Sequence, residues 1–227
     1  MANCFPATDD FLSSLDITEQ VAHTLSSPNS LHPSRLAVTN AISCSSIVLL
    51  SGYFESYLKD ITREYIGSIN NLNKPLSNIP LKMRLKHYSG GAEALTWASK
   101  KDKSLKSTSM SEDLTRRLGS LDQTLGYSLA WESFANTKSN PGTETVSTLL
   151  AGLEIEKAWT SINDLDRTHG PLDLFLTSFI AMRNVCAHTG RHNTPPSGFD
   201  ILGYVDKFRS IASCIDCLIG LRLQEFS

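Results

Sequence analysis

Arg183-Asn184-Val185-Cys186-Ala187-His188 is the run of this chain whose residue types and spacing best suit chemistry on a phosphate. A histidine can take and give a proton near neutrality. An arginine fork can hold the negative charge that builds on phosphorus oxygens. Together they suit attack of a ribose 2′-OH on the adjacent phosphorus without a metal: the histidine takes the hydroxyl proton and the arginine carries the charge of the pentacoordinate phosphorane. The run follows Leu172, Leu174, Phe175, Phe179 and Met182 and precedes Gly190, a residue suited to closing a helix, so His188 falls in a last turn whose unpaired carbonyls favour a cation. At 100° per residue Asn184 and His188 share a face, and Arg183 lies about 140° from His188. Within one chain the two need not meet; a bent arginine, or a second copy across a dyad, would bring both to one phosphate. Spacing alone also leaves a plainer reading open, in which Arg183 and His188 only cap a helix end.

Other chemistry is thinly represented. The chain has no glycine-rich phosphate loop, dinucleotide fingerprint, His-Glu-x-x-His or nucleophile elbow. Cys214-x-x-Cys217 lies in an apolar segment without a second Cys or His pair and reads as core thiols. His188 and His192 are four apart, but Gly190 interrupts the helix that would align them. Trp97, Trp131 and Trp159 read as packing anchors. No metal site and no cofactor is expected.

The elements that must position the motif are helical. Phe11, Leu12, Leu15, Val21, Ala22 and Leu25 form a first amphipathic stretch. From Ser34 as N-cap to Ile69, apolar residues recur at steps of three and four, as in the central helix of a bundle. Asn70 to Pro75 ends it, a short basic helix covers Ile79 to Tyr88, and Gly90-Gly91 breaks that one. Lys100 to Met110 reads as a mobile polar loop, followed by a helix from Ser111 through Leu129 to Phe134 that Asn136 to Gly142 closes. Short helices follow from Thr143 and over Leu153 to Asp164. Pro171 opens the motif helix, and a last helix runs from Ile201 to Leu221. No period-2 strand and no internal repeat appears.

The 227 residues, 41% hydrophobic and 19% charged, fit one soluble helical domain over 1–227, with a possible mobile basic insertion around 74–110. The longest apolar run, Ile47 to Leu50, is far short of a membrane span, and the first residues are no secretory signal; five cysteines without framework spacing fit a cytoplasmic protein with no membrane partner. Net charge is −2, but Leu81 to Ser120 holds nine Lys/Arg against four Asp/Glu, a local +5. That excess can track a phosphate backbone or be a solvated face.

Arg183-Asn184-x-x-Ala187-His188-x-Gly190 resembles the Arg-x4-6-His signature of HEPN domains. Gly52 to Asp60 resembles the aromatic-acid helix of the RiboL-PSP-like HEPN branch, and Ser139 to Val146 its Asn-Pro turn. The three patches occur in order between about residues 35 and 220. The resemblance implies an all-α bundle of long antiparallel helices with additional short ones, usually a homodimer with motif helices facing each other. It further implies a metal-independent endoribonuclease of toxin–antitoxin or phage-defence systems, with RNA as substrate and an antitoxin or defence protein as partner. Arg183 would bind phosphate, His188 act as acid and base, and Asn184 orient one of them. Glu55, Arg191, Lys82, Arg84 and Lys86 are weaker substrate-binding candidates. Some members carry a modifiable tyrosine two residues after the histidine, where this chain has Gly190. A non-catalytic HEPN-like module that binds RNA or protein is the alternative.

Overall fold

The computed structural model describes residues 5–26, 35–122, 126–135, 137 and 141–226. Among them are eight α-helices and no strand: α1 (Pro6–Leu25), α2 (Leu36–Asn71), α3 (Leu81–Leu105), α4 (Ser109–Gly119), α5 (Thr143–Gly152), α6 (Ala158–Leu165), α7 (Leu172–Thr189) and α8 (Gly198–Phe226). The expected N-cap Ser34, and Asn140 of the Asn-Pro turn, lie outside the described residues.

Helices α1, α2, α7 and α8 form the body. The apolar period of each gives it one buried stripe, and the stripes meet in an aromatic cluster: Phe11 stacks on Tyr57 at 4.8 Å, and Phe54 and Phe179 reach Phe208 at 5.1 and 4.8 Å. Helix α1 runs antiparallel to α8, with Arg209 paired to Asp16 and Glu19 and the buried Asp216 accepting from Phe5 N and Thr8 Oγ1. It is antiparallel to α2 as well, since Phe11 meets Phe54 while Ala7 N donates to Glu64. The first half of α2 is long and apolar enough to cross a membrane by length and composition, although 33% of that stretch is buried within the fold. Interspersed serines and Gly52 keep it from being a continuous apolar run.

The outer part differs from the sequence expectation. Gly90-Gly91 does not break a helix; α3 runs straight through it. The glycines serve close approach instead, because a Cβ on Gly90 would stand 1.9 Å from the Ser133 carbonyl oxygen and one on Gly91 2.3 Å from a Leu118 methyl. The stretch 100–110, expected as a loop, is helical to Leu105. Lys106 then turns at φ 51°, and Asp102 accepts hydrogen bonds from Met110 N and Ser111 N, starting α4. Helix α4 stops at Gly119 rather than reaching Phe134; Ser120–Asp122 and Trp131–Ser133 are 3-10 turns. Leu121, Leu129 and Phe134 are still buried, so the apolar spacing reported burial and not helix.

Trp97 is exposed, against expectation, whereas Trp131 lies under the Arg63 guanidinium and Trp159 donates to the Thr143 carbonyl. Of the Cys-x-x-Cys pair, Cys214 is buried and Cys217 exposed.

Candidate functional site

Helix α7 is fixed at both ends. At its start, Asn163 Oδ1 accepts from Leu172 N at 2.9 Å and Asn163 Nδ2 donates to Asp173. Pro171, expected as the first helical residue, sits one place earlier as the N-cap. At its end Gly190 takes φ 66° and its N–H returns to the Cys186 carbonyl, the left-handed closure expected of glycine there. Two residues on, Asn40 of α2 grips the backbone of His192, accepting from its N–H at 3.2 Å and donating to its carbonyl at 3.0 Å.

Within that frame the three motif side chains take different environments. Arg183 is half-buried, close enough to Glu55 of α2 for its charge to act there; its Nη1 donates to Asn184 Oδ1 at 3.2 Å and its Nε is buried without a hydrogen-bond acceptor among the described residues. His188 is exposed, with no side-chain partner among the described residues. The 140° expected between them is kept, with a rise of roughly 7.5 Å over five residues. One chain therefore presents an inward cation and an outward histidine on the same helix end. Cys186 lies beneath, against Cys44 of α2; burial first and Cys44 second push its thiol up to about 12, so it stays protonated.

Among the weaker candidates, Glu55 is the one brought to the motif. Its Oε1 accepts from Lys59 Nζ at 2.7 Å and from Thr137 Oγ1 at 2.8 Å. Burial opposes its charged form, but those hydrogen bonds and the nearby Lys59 and Arg183 charges outweigh it and hold the carboxyl below its usual range. Arg191 is exposed just past Gly190, with its N–H accepted by Thr189 Oγ1. The three basic candidates lie on the first turns of α3, which packs beside α5. Lys82 pairs with Glu156, Lys86 lays its stem beside Gly152, and Arg84 Nε is buried without an acceptor. Of the +5 excess, in which Asp113 is already counted, Glu132 and Glu156 from outside the segment meet Arg117 and Lys82, while Lys100, Lys101 and Lys103 are exposed.

The sequence reading missed three contributors. Lys59 could have been found from its i+4 spacing to Glu55, and Asn40 from being a polar residue in an apolar stretch. Thr137 carries no local signal; only the tertiary path brings it to Glu55. Among the described residues, no group of three or more His, Cys, Asp or Glu could hold a metal ion.

A family model described as RiboL-PSP-HEPN matches residues 11–220 of the chain. No curated protein and no solved structure matches it.

Proposed function

The chain belongs to the HEPN superfamily, in its RiboL-PSP branch, and from that premise we propose that it is a metal-independent endoribonuclease. The observation that carries the reading is the motif pair: among the described residues, an arginine with an unmet buried N–H and an exposed histidine without a partner, on a helix clamped at both ends. His188 takes the proton of a ribose 2′-OH, whose oxygen then bonds to the adjacent phosphorus. Arg183, steadied by Asn184, holds the charge on the phosphorane oxygens. The 5′-oxygen leaves with a proton returned by the imidazolium, giving a 2′,3′-cyclic phosphate and a 5′-hydroxyl. Glu55 sets the position of Arg183 through charge, and Arg191 meets a neighbouring phosphate. A cytoplasmic toxin or phage-defence effector, held in check or triggered by a partner protein and acting as a homodimer, is the setting this chemistry suits.

The test is incubation of the protein and of His188→Ala with a labelled structured RNA in EDTA, reading cleavage and end chemistry. Wild-type cleavage to cyclic phosphate, slowed ~10² to 10⁴-fold in the variant, is expected for loss of a general acid/base. Arg183→Lys restores little, because the planar bidentate contact is gone. RNA left intact by both proteins overturns the reading. It would favour a module that binds RNA or protein without cutting, a view supported by the failure of Arg183 and His188 to meet within one chain.

A further inference from the structure

Two of the three tryptophans are used by the fold: Trp131 lies under the Arg63 guanidinium, and Trp159 donates to the Thr143 carbonyl. Trp97 on α3 is not. It is 58% exposed, and among the described residues its ring meets no other ring or cation and its Nε1 has no acceptor. The cations beside it are unused as well. Lys100 and Lys101 follow it at i+3 and i+4 and so share its side of α3. With Lys103 and Lys106 they make four exposed ammonium groups in seven residues, none with a hydrogen-bond or ion-pair partner among the described residues. The carboxylate within that run, Asp102, is buried and committed to Met110 N, Ser111 N and Ser111 Oγ. Glu93 stands one turn before Trp97, which leaves the cationic side to the turns that follow the indole.

We infer that Trp97, Lys100 and Lys101 form a second contact for RNA, outside the motif helix, that takes an unpaired stretch of the strand. A splayed base lies on the indole, and the phosphates beside it meet the two ammonium groups. The inference rests on the reading of RNA as the substrate, and it narrows that substrate to RNA with a single-stranded segment, because a base stacked inside a duplex offers the ring no face. The placement agrees. Gly90 and Trp97 are seven apart and so lie about 20° from each other around α3, and the Gly90 side faces the Ser133 carbonyl. Trp97 is therefore on the side of the Trp131–Ser133 turn, roughly 10 Å beyond it along the helix axis. From Ser133 the chain reaches Thr137 in at most about 14 Å. Thr137 donates to Glu55, which lies within reach of the Arg183 charge. The indole thus stands within about 35 Å of Glu55, a span that roughly ten stacked nucleotides cover at about 3.4 Å each. A lipid surface suits the patch less well. The exposed Leu81 and Leu85 lie about 160° and 120° around α3 from Trp97, so one flat bilayer cannot receive them together with the indole.

Fluorescence anisotropy of the full chain tests it, with a labelled 2′-O-methyl oligouridylate, which has no 2′-hydroxyl to attack, alone and paired with its complement. The wild type should bind the single strand more tightly than the duplex. Trp97→Ala changes an exposed side chain, so it should keep its circular dichroism melt but bind the single strand roughly 5- to 150-fold more weakly, the loss expected for one stacked base. Trp97→Phe should recover most of that affinity. Lys100→Gln combined with Lys101→Gln should make the fall of log affinity with log salt shallower by about 1.4. A wild type that does not bind or does not prefer the single strand overturns the inference, as does affinity indifferent to Trp97→Ala, a Trp97→Phe variant no better than Trp97→Ala, or an unchanged salt slope. Flotation with phosphatidylserine vesicles that Trp97→Ala abolishes would assign the patch to lipid and overturn it too. None of these readouts uses cleavage. A chain that binds through Trp97 and cuts nothing loses only the endoribonuclease reading, and one that cuts RNA but ignores Trp97→Ala loses only this inference.

Discussion

In the four-helix body Phe54 and Phe208 meet at 5.1 Å amid rings from every helix, whereas the core between α3 and α4 consists of Ala98, Leu114 and Ala130 with a few half-buried neighbours. The body is held by apolar volume. The outer unit is held by directional polar contacts: Asp102 at the start of α4, Arg117 with two hydrogen bonds of 2.7 and 2.6 Å to Glu132, and Ala130 N donating to the buried His87 Nδ1. Volume is lost in increments, but a buried polar group that loses its partner bears the full cost of desolvation. The body should therefore weaken by degrees and the outer unit open as a piece.

The largest effect that would sharpen this contrast is Phe208→Ala, which should cost ~3–5 kcal/mol of global stability, against ~2 kcal/mol for Leu114→Ala among its small neighbours. Denaturant titration measures both. Hydrogen exchange should show α4 amides exchanging well before those of α8, and equal protection would break the contrast. Next comes Gly90→Ala, whose added methyl must push the Ser133 carbonyl away; about 1–3 kcal/mol should be lost, while Gly67→Ala in α2, with open space around its Cβ, should gain about 0.5–1 kcal/mol. Thermal melts of the pair give the two signs.

The smallest effects are those of pH. His87, in the outer unit, is lowered chiefly by burial. It stays neutral while the unfolded chain protonates, so its contribution is complete above roughly 6.5 and declines as pH falls toward the lower folded value. His169, in the body, is raised by hydrogen bonds to Asp206 first and Asp166 second, at 2.9 and 2.6 Å. Its contribution is complete below about 6.5 and is lost as pH rises through the folded value. Acid should loosen the outer unit and alkali the α6–α7 junction. A pH series of melts with His169→Asn, which should flatten only the alkaline limb, checks the assignment.

The body was legible because its helices are long and amphipathic, and Pro171 and Gly190 bracket the motif helix to within a residue. The outer unit was not, for one reason repeated. Gly90 and Gly91 look alike as helix breakers and as points of close approach until the Ser133 backbone is in place, and Leu121 to Phe134 keep apolar spacing in a chain bent by tertiary packing. At the site, the angle between Arg183 and His188 followed from helical geometry alone. The meeting of Glu55 with Thr137 did not, since it depends on chain 82 residues away. The basic residues Lys82, Arg84 and Lys86 show the limit of counting charge: a local excess says nothing of acids such as Glu156 that the fold brings beside it.

Asn40 and Asn70 stand near the two ends of α2, thirty positions apart, and make the same grip. As Asn40 holds His192, Asn70 accepts from Leu129 N at 2.9 Å and donates to its carbonyl at 3.1 Å. Each side-chain amide stands in for a neighbouring strand, reading only peptide groups. The identity of residues 129 and 192 is thus immaterial to the grip, while Asn→Asp at either end of α2 would leave a carbonyl facing a carboxylate. Helix α2 works as a ruler with a catch at each end, about 45 Å apart at 1.5 Å per residue. Both remote segments, the end of the motif helix and the stretch before the Trp131–Ser133 turn, are thereby held to one rigid element and kept at a fixed spacing from each other.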